Sequence, residues 1–100
     1  MIKIKQEIRE KGGSFYYEEN GQRLAEMVYV NAGSETLIIE HTEVNGSLKG
    51  KGIGRKLLGS LVEFARAEKI RVIALCPFAK AIFKRSPEWQ DVLSKSITPI

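Results

Sequence analysis

Between Leu48 and Leu58 the chain changes its apolar period, and the change is marked by Gly50, Gly52 and Gly54, set among Lys49, Lys51, Arg55 and Lys56. Downstream, Ile53, Leu57, Leu58, Leu61, Val62, Phe64 and Ala65 recur at helical spacing, with Arg55, Lys56, Glu63 and Arg66 opposite them. That repeat predicts a helix from about Gly52 to Ala67. A glycine-rich link from a strand into a helix N-terminus leaves backbone N–H groups without helical partners, at the positive end of the helix dipole. Missing Cβ atoms let oxyanions reach that backbone, so the link reads as a phosphate cradle. Glycine-rich turns also serve tight packing, and the loop alone leaves both roles open.

Upstream the pattern is that of strands. Ile2, Ile4 and Ile8 fit a strand with one solvated face, and Gly12-Gly13 reads as a turn. Ser14–Glu18 and Leu24–Val30 are rich in aromatic or β-branched residues and are joined through Asn20-Gly21, a strong hairpin signal. A turn at Asn31-Ala32-Gly33 leads to Thr36–Val44, whose unbroken apolar opening suits a central strand. Ile70–Leu75 reads as a short buried strand, parallel to the preceding one, so that strand, helix and strand form a crossover unit. Pro77 opens a helix to Lys84, and Ser86-Pro87 repeats the start signal for a short helix to Leu93, with Trp89, Val92 and Leu93 facing the core. The expected fold is α/β: a mixed, mainly antiparallel sheet, one crossover and short C-terminal helices, in a single domain over residues 1–100.

With 43% hydrophobic and 28% charged residues, the composition is that of a globular domain. No apolar run reaches the roughly 18 residues that span a bilayer, and the N-terminus has no signal-peptide core. A lone Cys76 excludes an internal disulfide, and cytoplasm is the expected location. Metal is not expected, since one His and one Cys make no ligand cluster. The net charge of +4 is uneven: residues 1–48 carry 5 Lys/Arg against 8 Asp/Glu, and residues 49–100 carry 11 against 4. A basic half suits nucleic acid or a polyphosphate ligand. No zinc finger or RNP-like aromatic pattern supports the nucleic-acid reading.

Two other phosphate loops fail. Gly-x-x-x-x-Gly-Lys-Ser/Thr is absent, and Gly50, Gly52 and Gly54 lack the dinucleotide spacing, besides following four strands where that fingerprint normally opens a domain. Lys49-Gly50-Lys51-Gly52-Ile53-Gly54 resembles the pyrophosphate loop of the GNAT superfamily, Gln/Arg-x-x-Gly-x-Gly/Ala, with lysine at the first position. Together with His41–Val44 (HTEV), Leu75–Ala81 (LCPFAKA) and Lys84–Val92 (KRSPEWQDV), it resembles a small GNAT-like subfamily of the N-acetyltransferase domain-containing protein 1 type, from about Ile4 to Val92.

That resemblance implies acetyl-CoA as acetyl donor, an amine acceptor, and a pantetheine arm between the strands ending at Val44 and Leu75, near backbone groups of Glu43 and Val44. The donor-binding set it suggests is Glu43, Val44, Lys49, Gly50, Lys51, Gly52, Ile53, Gly54, Arg55, Lys56, Cys76, Pro77 and Phe78. The family's usual tyrosine acid falls near Phe83, where this chain has no phenol. Cys76, next to a helix N-terminus, is the candidate that replaces it, as acid or as acetyl carrier, or it is a small buried hydrophobe. His41 and Glu43, two apart on one strand, are candidate bases for the amine, or merely satisfied polar groups. The alternative to catalysis is a non-catalytic CoA or acyl-CoA-binding module.

Overall fold

The computed structural model describes residues 3–48 and 50–94. Five strands, β1 (Lys5–Arg9), β2 (Gly12–Glu19), β3 (Gln22–Asn31), β4 (Thr36–Val44) and β5 (Arg71–Ala74), form one sheet in the order 1-2-3-4-5. The first four pair antiparallel and β5 joins β4 in parallel, through helix α1 (Ile53–Glu68). Helix α2 (Pro77–Lys84) and a 3-10 helix (Pro87–Val92) follow, and a 3-10 turn (Gly46–Leu48) precedes the glycine loop. This is the expected α/β architecture.

The apolar stripe of α1 explains its place. Leu57, Leu58, Leu61, Val62 and Ala65 are fully buried against Phe15, Met27, Tyr29, Leu37 and Ile39 of the sheet. Phe64 completes an aromatic trio with Phe15 and Tyr29, at centroid separations of 5.8 and 6.2 Å. Each such leucine contributes about 1.5–3 kcal/mol by leaving water. The helix ends at Lys69, which takes the left-handed conformation at φ 58° while Ile70 N–H returns to Ala65 O at 2.8 Å. Ala79, Ile82, Phe83 and Val92 bring α2 and the 3-10 helix into the same core.

Three expectations are corrected. The first strand is Lys5–Arg9, not Ile2–Ile8; Ile2 lies outside the described residues, and Ile8 is 72% exposed because β1 is an edge strand beyond the cover of α1. The segment from Pro87 is 3-10 rather than α, with Val92 buried but Trp89 and Leu93 only partly so. Gly12 and Gly13, read as a turn, are instead the first residues of β2, paired with Arg9 and Ile8. β5 is parallel to β4 as expected, and among the described residues its outer side meets the chain where Val72 bridges Leu93.

The separation of β4 from β5 positions the site. Their pairing runs from Thr36 with Arg71 to Ile39 with Ala74. Leu75 and Cys76 then both donate to Ile39 O, at 3.1 and 3.2 Å, and pairing stops. A bulge on β4 falls at the same height, where the register moves from Tyr29 with Ile39 to Val28 with His41 and leaves Glu40 extra. An added residue of this kind bends its strand, here where the pairing with β5 stops. Two parallel strands thus part at their carboxyl ends.

Candidate functional site

Loop and helix meet at Gly52, which caps α1 with φ 70° and provides no side-chain hydrogen bond. No acidic residue stands in the first turn. The opening N–H groups of α1 therefore have neither a capping side chain nor a neutralising carboxylate, in a 16-residue helix whose dipole is positive at that end. Gly50, at φ 82°, also requires the left-handed region, and neither Gly50 nor Gly52 would meet another atom within 4 Å at its Cβ position. Lys51 N–H closes the loop back on Leu48 O at 3.1 Å, and Asn45 Oδ1 accepts from Ser47 N–H at 2.9 Å to tighten the preceding turn.

Over this loop opens a cleft of about 580 Å³. The expected residues Val44, Gly50, Gly52, Ile53, Gly54, Arg55 and Phe78 line it. Phe78, 42% exposed, lies over the first turn of α1, and a Cβ on Gly54 would stand 2.1 Å from its ring. Gly54 thus serves packing, whereas Gly50 and Gly52 serve backbone conformation. Asn45, Gly46, Leu48, Ala81, Ile82 and Arg85 also form walls. The α2 contributors were legible as a stripe, since Phe78, Ala81, Ile82 and Arg85 are spaced i, i+3, i+4, i+7.

Other expected donor contacts stand elsewhere. Lys51 and Lys56 line a neighbouring groove beside Trp89, Glu43 borders a pocket where β3 begins and β4 ends, and Lys49 lies outside the described residues. Arg55 borders both the cleft and the groove, but its guanidinium is engaged. Nη1 donates to Ser86 Oγ at 2.6 Å, Nη2 to Glu88 at 2.9 Å, and the group stacks over Trp89 at 4.3 Å. Two of its five N–H donors are engaged in this way. Pro77 occupies the first turn of α2 and forms no wall of the cleft.

Cys76 caps α2 and is 7% exposed. Its thiol donates to Thr42 Oγ1 at 3.4 Å, across the place where β4 and β5 separate. Burial pushes the thiol up, but the hydrogen bonds that the thiolate accepts from the Thr42 hydroxyl, turned to donate, and from the backbone at Ala79 and Phe78 outweigh it, leaving its pKa below the ordinary thiol value. His41 and Glu43 share a face, with Nε2 and Oε2 3.4 Å apart, and both are well exposed. Phe83 is buried, so the position of the family tyrosine is filled by packing. Among the described residues no group of three or more His, Cys, Asp or Glu side chains is placed to hold a metal ion.

A crossover helix with an uncapped N-terminus is thus set between parallel strands that part beyond it. The family model of the GCN5-related N-acetyltransferases matches residues 14–92. The chain belongs to that family. The fold is similar to a GCN5-like protein of Staphylococcus aureus solved by NMR, with TM-score 0.73 and 35% identity over 92% of this chain and 87% of that one. A GNAT family acetyltransferase of Elizabethkingia anophelis, solved with acetyl-CoA bound, shares the fold at TM-score 0.65 and 13% identity, over 86% of this chain and 74% of that one. Protein NATD1 of Xenopus tropicalis is 27% identical over 63 residues, which are 63% of this chain and 58% of that protein.

Proposed function

We propose that the chain binds acetyl-CoA in the cleft above Gly50–Phe78 and transfers the acetyl group to an amine. The observation that carries this reading is the start of α1: partnerless N–H groups, no cap and no acid, opening on a cleft walled by the end of β4 and by α2. A pyrophosphate supplies the negative charge that this terminus lacks. Apolar walls at Val44, Ile53, Phe78 and Ile82 suit the uncharged arm that follows it.

Cys76, which caps α2 two residues before the cleft wall Phe78 but is not itself a wall of the cleft, is the group we assign to the chemistry. Its sulfur attacks the thioester carbonyl, the C–S bond to CoA breaks, and the departing thiolate takes the proton that Cys76 gave up. The acceptor amine, for which the exposed His41 and Glu43 are the candidate bases, then attacks the acetyl group on sulfur, the C–S bond to Cys76 breaks, and the Cys76 thiolate takes up the proton that the amine loses. Phe83, buried and without a hydroxyl, supplies no competing acid.

Intact-mass spectrometry after exposure to acetyl-CoA tests the reading. An added acetyl group on Cys76 that disappears when amines are supplied is the expected result. Acetyl-CoA binding without acetyl-protein, hydrolysis or transfer to any amine would leave a CoA-binding module, and absence of binding in calorimetry at millimolar donor would end both readings.

A further inference from the structure

The outer edge of β5 is only partly used. Arg71 and Leu75 direct their N–H groups inward, to Glu35 O at 2.8 Å and Ile39 O at 3.1 Å. Successive residues of a strand present their backbone groups to opposite sides, so Val72 and Ala74 face outward. Val72 bridges Leu93, and Ser94 N–H donates to its carbonyl at 2.9 Å. Ala74, one step further, has no partner on that side among the described residues.

Beside this opening runs a groove of about 470 Å³, walled by Ile73, Leu75, Phe83 and Leu93, with Lys80 and Lys84 on α2. Leu75 is 57% exposed, and among the described residues no carboxylate lines the groove. The two sides of β5 differ. Val72 shares the core with Phe83 of α2, while Ile73 and Leu75, at the alternate positions, project to the other face of the sheet.

We propose that this edge docks an extended acidic segment of a partner protein, which adds to the sheet as a strand beside β5. Ala74 supplies for such a strand a main-chain donor and acceptor that no described residue takes. Alternate side chains of the incoming segment then meet different surroundings: apolar ones cover Ile73 and Leu75, and carboxylates face Lys80 and Lys84. A second copy of this chain suits the edge less well, because a two-fold pairing would set Lys80 and Lys84 of both copies against each other. Nothing in this inference depends on acetyl transfer.

The test is a titration of the isotope-labelled full chain with two capped heptapeptides, one alternating glutamate and valine, the other lysine and valine. The acidic peptide is expected to shift the amide signals of Val72–Leu75, to protect the Ala74 amide from exchange, and to bind roughly tenfold tighter than the basic one. Lys80→Glu with Lys84→Glu should invert that preference, and the surface change Leu75→Ser should weaken both peptides. Equal affinities, or no change at Ala74 with millimolar acidic peptide, would overturn the proposal. So would an Ala74 amide already protected in the full chain and released by deleting residues 95–100, since the edge would then belong to the chain's own terminus. Concentration-dependent dimerisation abolished by Leu75→Ser would assign it instead to a second copy.

Discussion

The ring of Phe78 occupies the space into which a side chain on Gly54 would grow, with Cζ 2.1 Å from the position of a Cβ there. One contact thus ties the first turn of α1 to the first turn of α2 and forms part of the cleft wall. Gly54→Ala should displace the ring and weaken donor binding. It costs little in stability, because the clash is with the far end of a partly exposed ring that can turn aside, and alanine is favoured over glycine in a helix by up to about 1 kcal/mol. In a Phe78→Ala background the same substitution should raise stability by about 0.5–1 kcal/mol. Denaturant melts and calorimetry of CoA binding on the four proteins of the cycle check this.

Gly52 has open space around its Cβ position, so a substitution there reports backbone conformation alone. At φ 70° an alanine should cost about 1–2 kcal/mol, and asparagine, which tolerates the left-handed region, less. Both are expected to lower donor affinity more than Gly21→Ala, a positive-φ control in the β2–β3 turn, lowers it.

Thr42 holds the pKa of Cys76 down. A thiol whose folded pKa lies below its unfolded value adds stability as pH rises through the folded value, and that gain is complete above the unfolded one and lost as pH falls. The native protein should therefore show a thiol alkylation rate with its inflection below that of an unfolded control. Thr42→Val should move the inflection up and remove the accompanying gain in Tm. An inflection unchanged by Thr42→Val would separate the hydroxyl from the thiol.

Arg55 satisfies Ser86, whose side chain is fully buried. Arg55→Ala leaves that hydroxyl without its partner and exposes Trp89, a loss of about 1–3 kcal/mol. Arg55→Lys should recover little, since an ammonium cannot meet Ser86, Glu88 and the Trp89 ring together. Thermal melts of both variants test this.

Lys69 ends α1 in the left-handed region, where a Cβ is costly. Lys69→Gly should stabilise the protein by up to about 1 kcal/mol, read as a higher denaturation midpoint without a change of slope.

The strands of the hairpin, the crossover helix and the glycine loop were legible because their signals are local: Asn20-Gly21 in a turn, the repeat from Ile53 to Ala65, glycines at positive φ. Family resemblance then placed the donor loop. Beyond that the sequence could not go. It pointed to Arg55 as a phosphate contact, and only the fold shows that residues 31 and 33 positions later take its guanidinium. It marked Gly12-Gly13 as a turn, since paired glycines look the same in a turn and at the start of a strand, whereas both are paired on either side within the sheet. It offered Gly50, Gly52 and Gly54 as one phosphate cradle, and the structure divides them between backbone conformation at the first two and room for Phe78 at the third. Periodicity and turn chemistry are written along the chain and fix its elements. Whether a charge is free, an edge is covered or a glycine has a neighbour depends on residues distant in sequence, and so is decided only when the chain has packed.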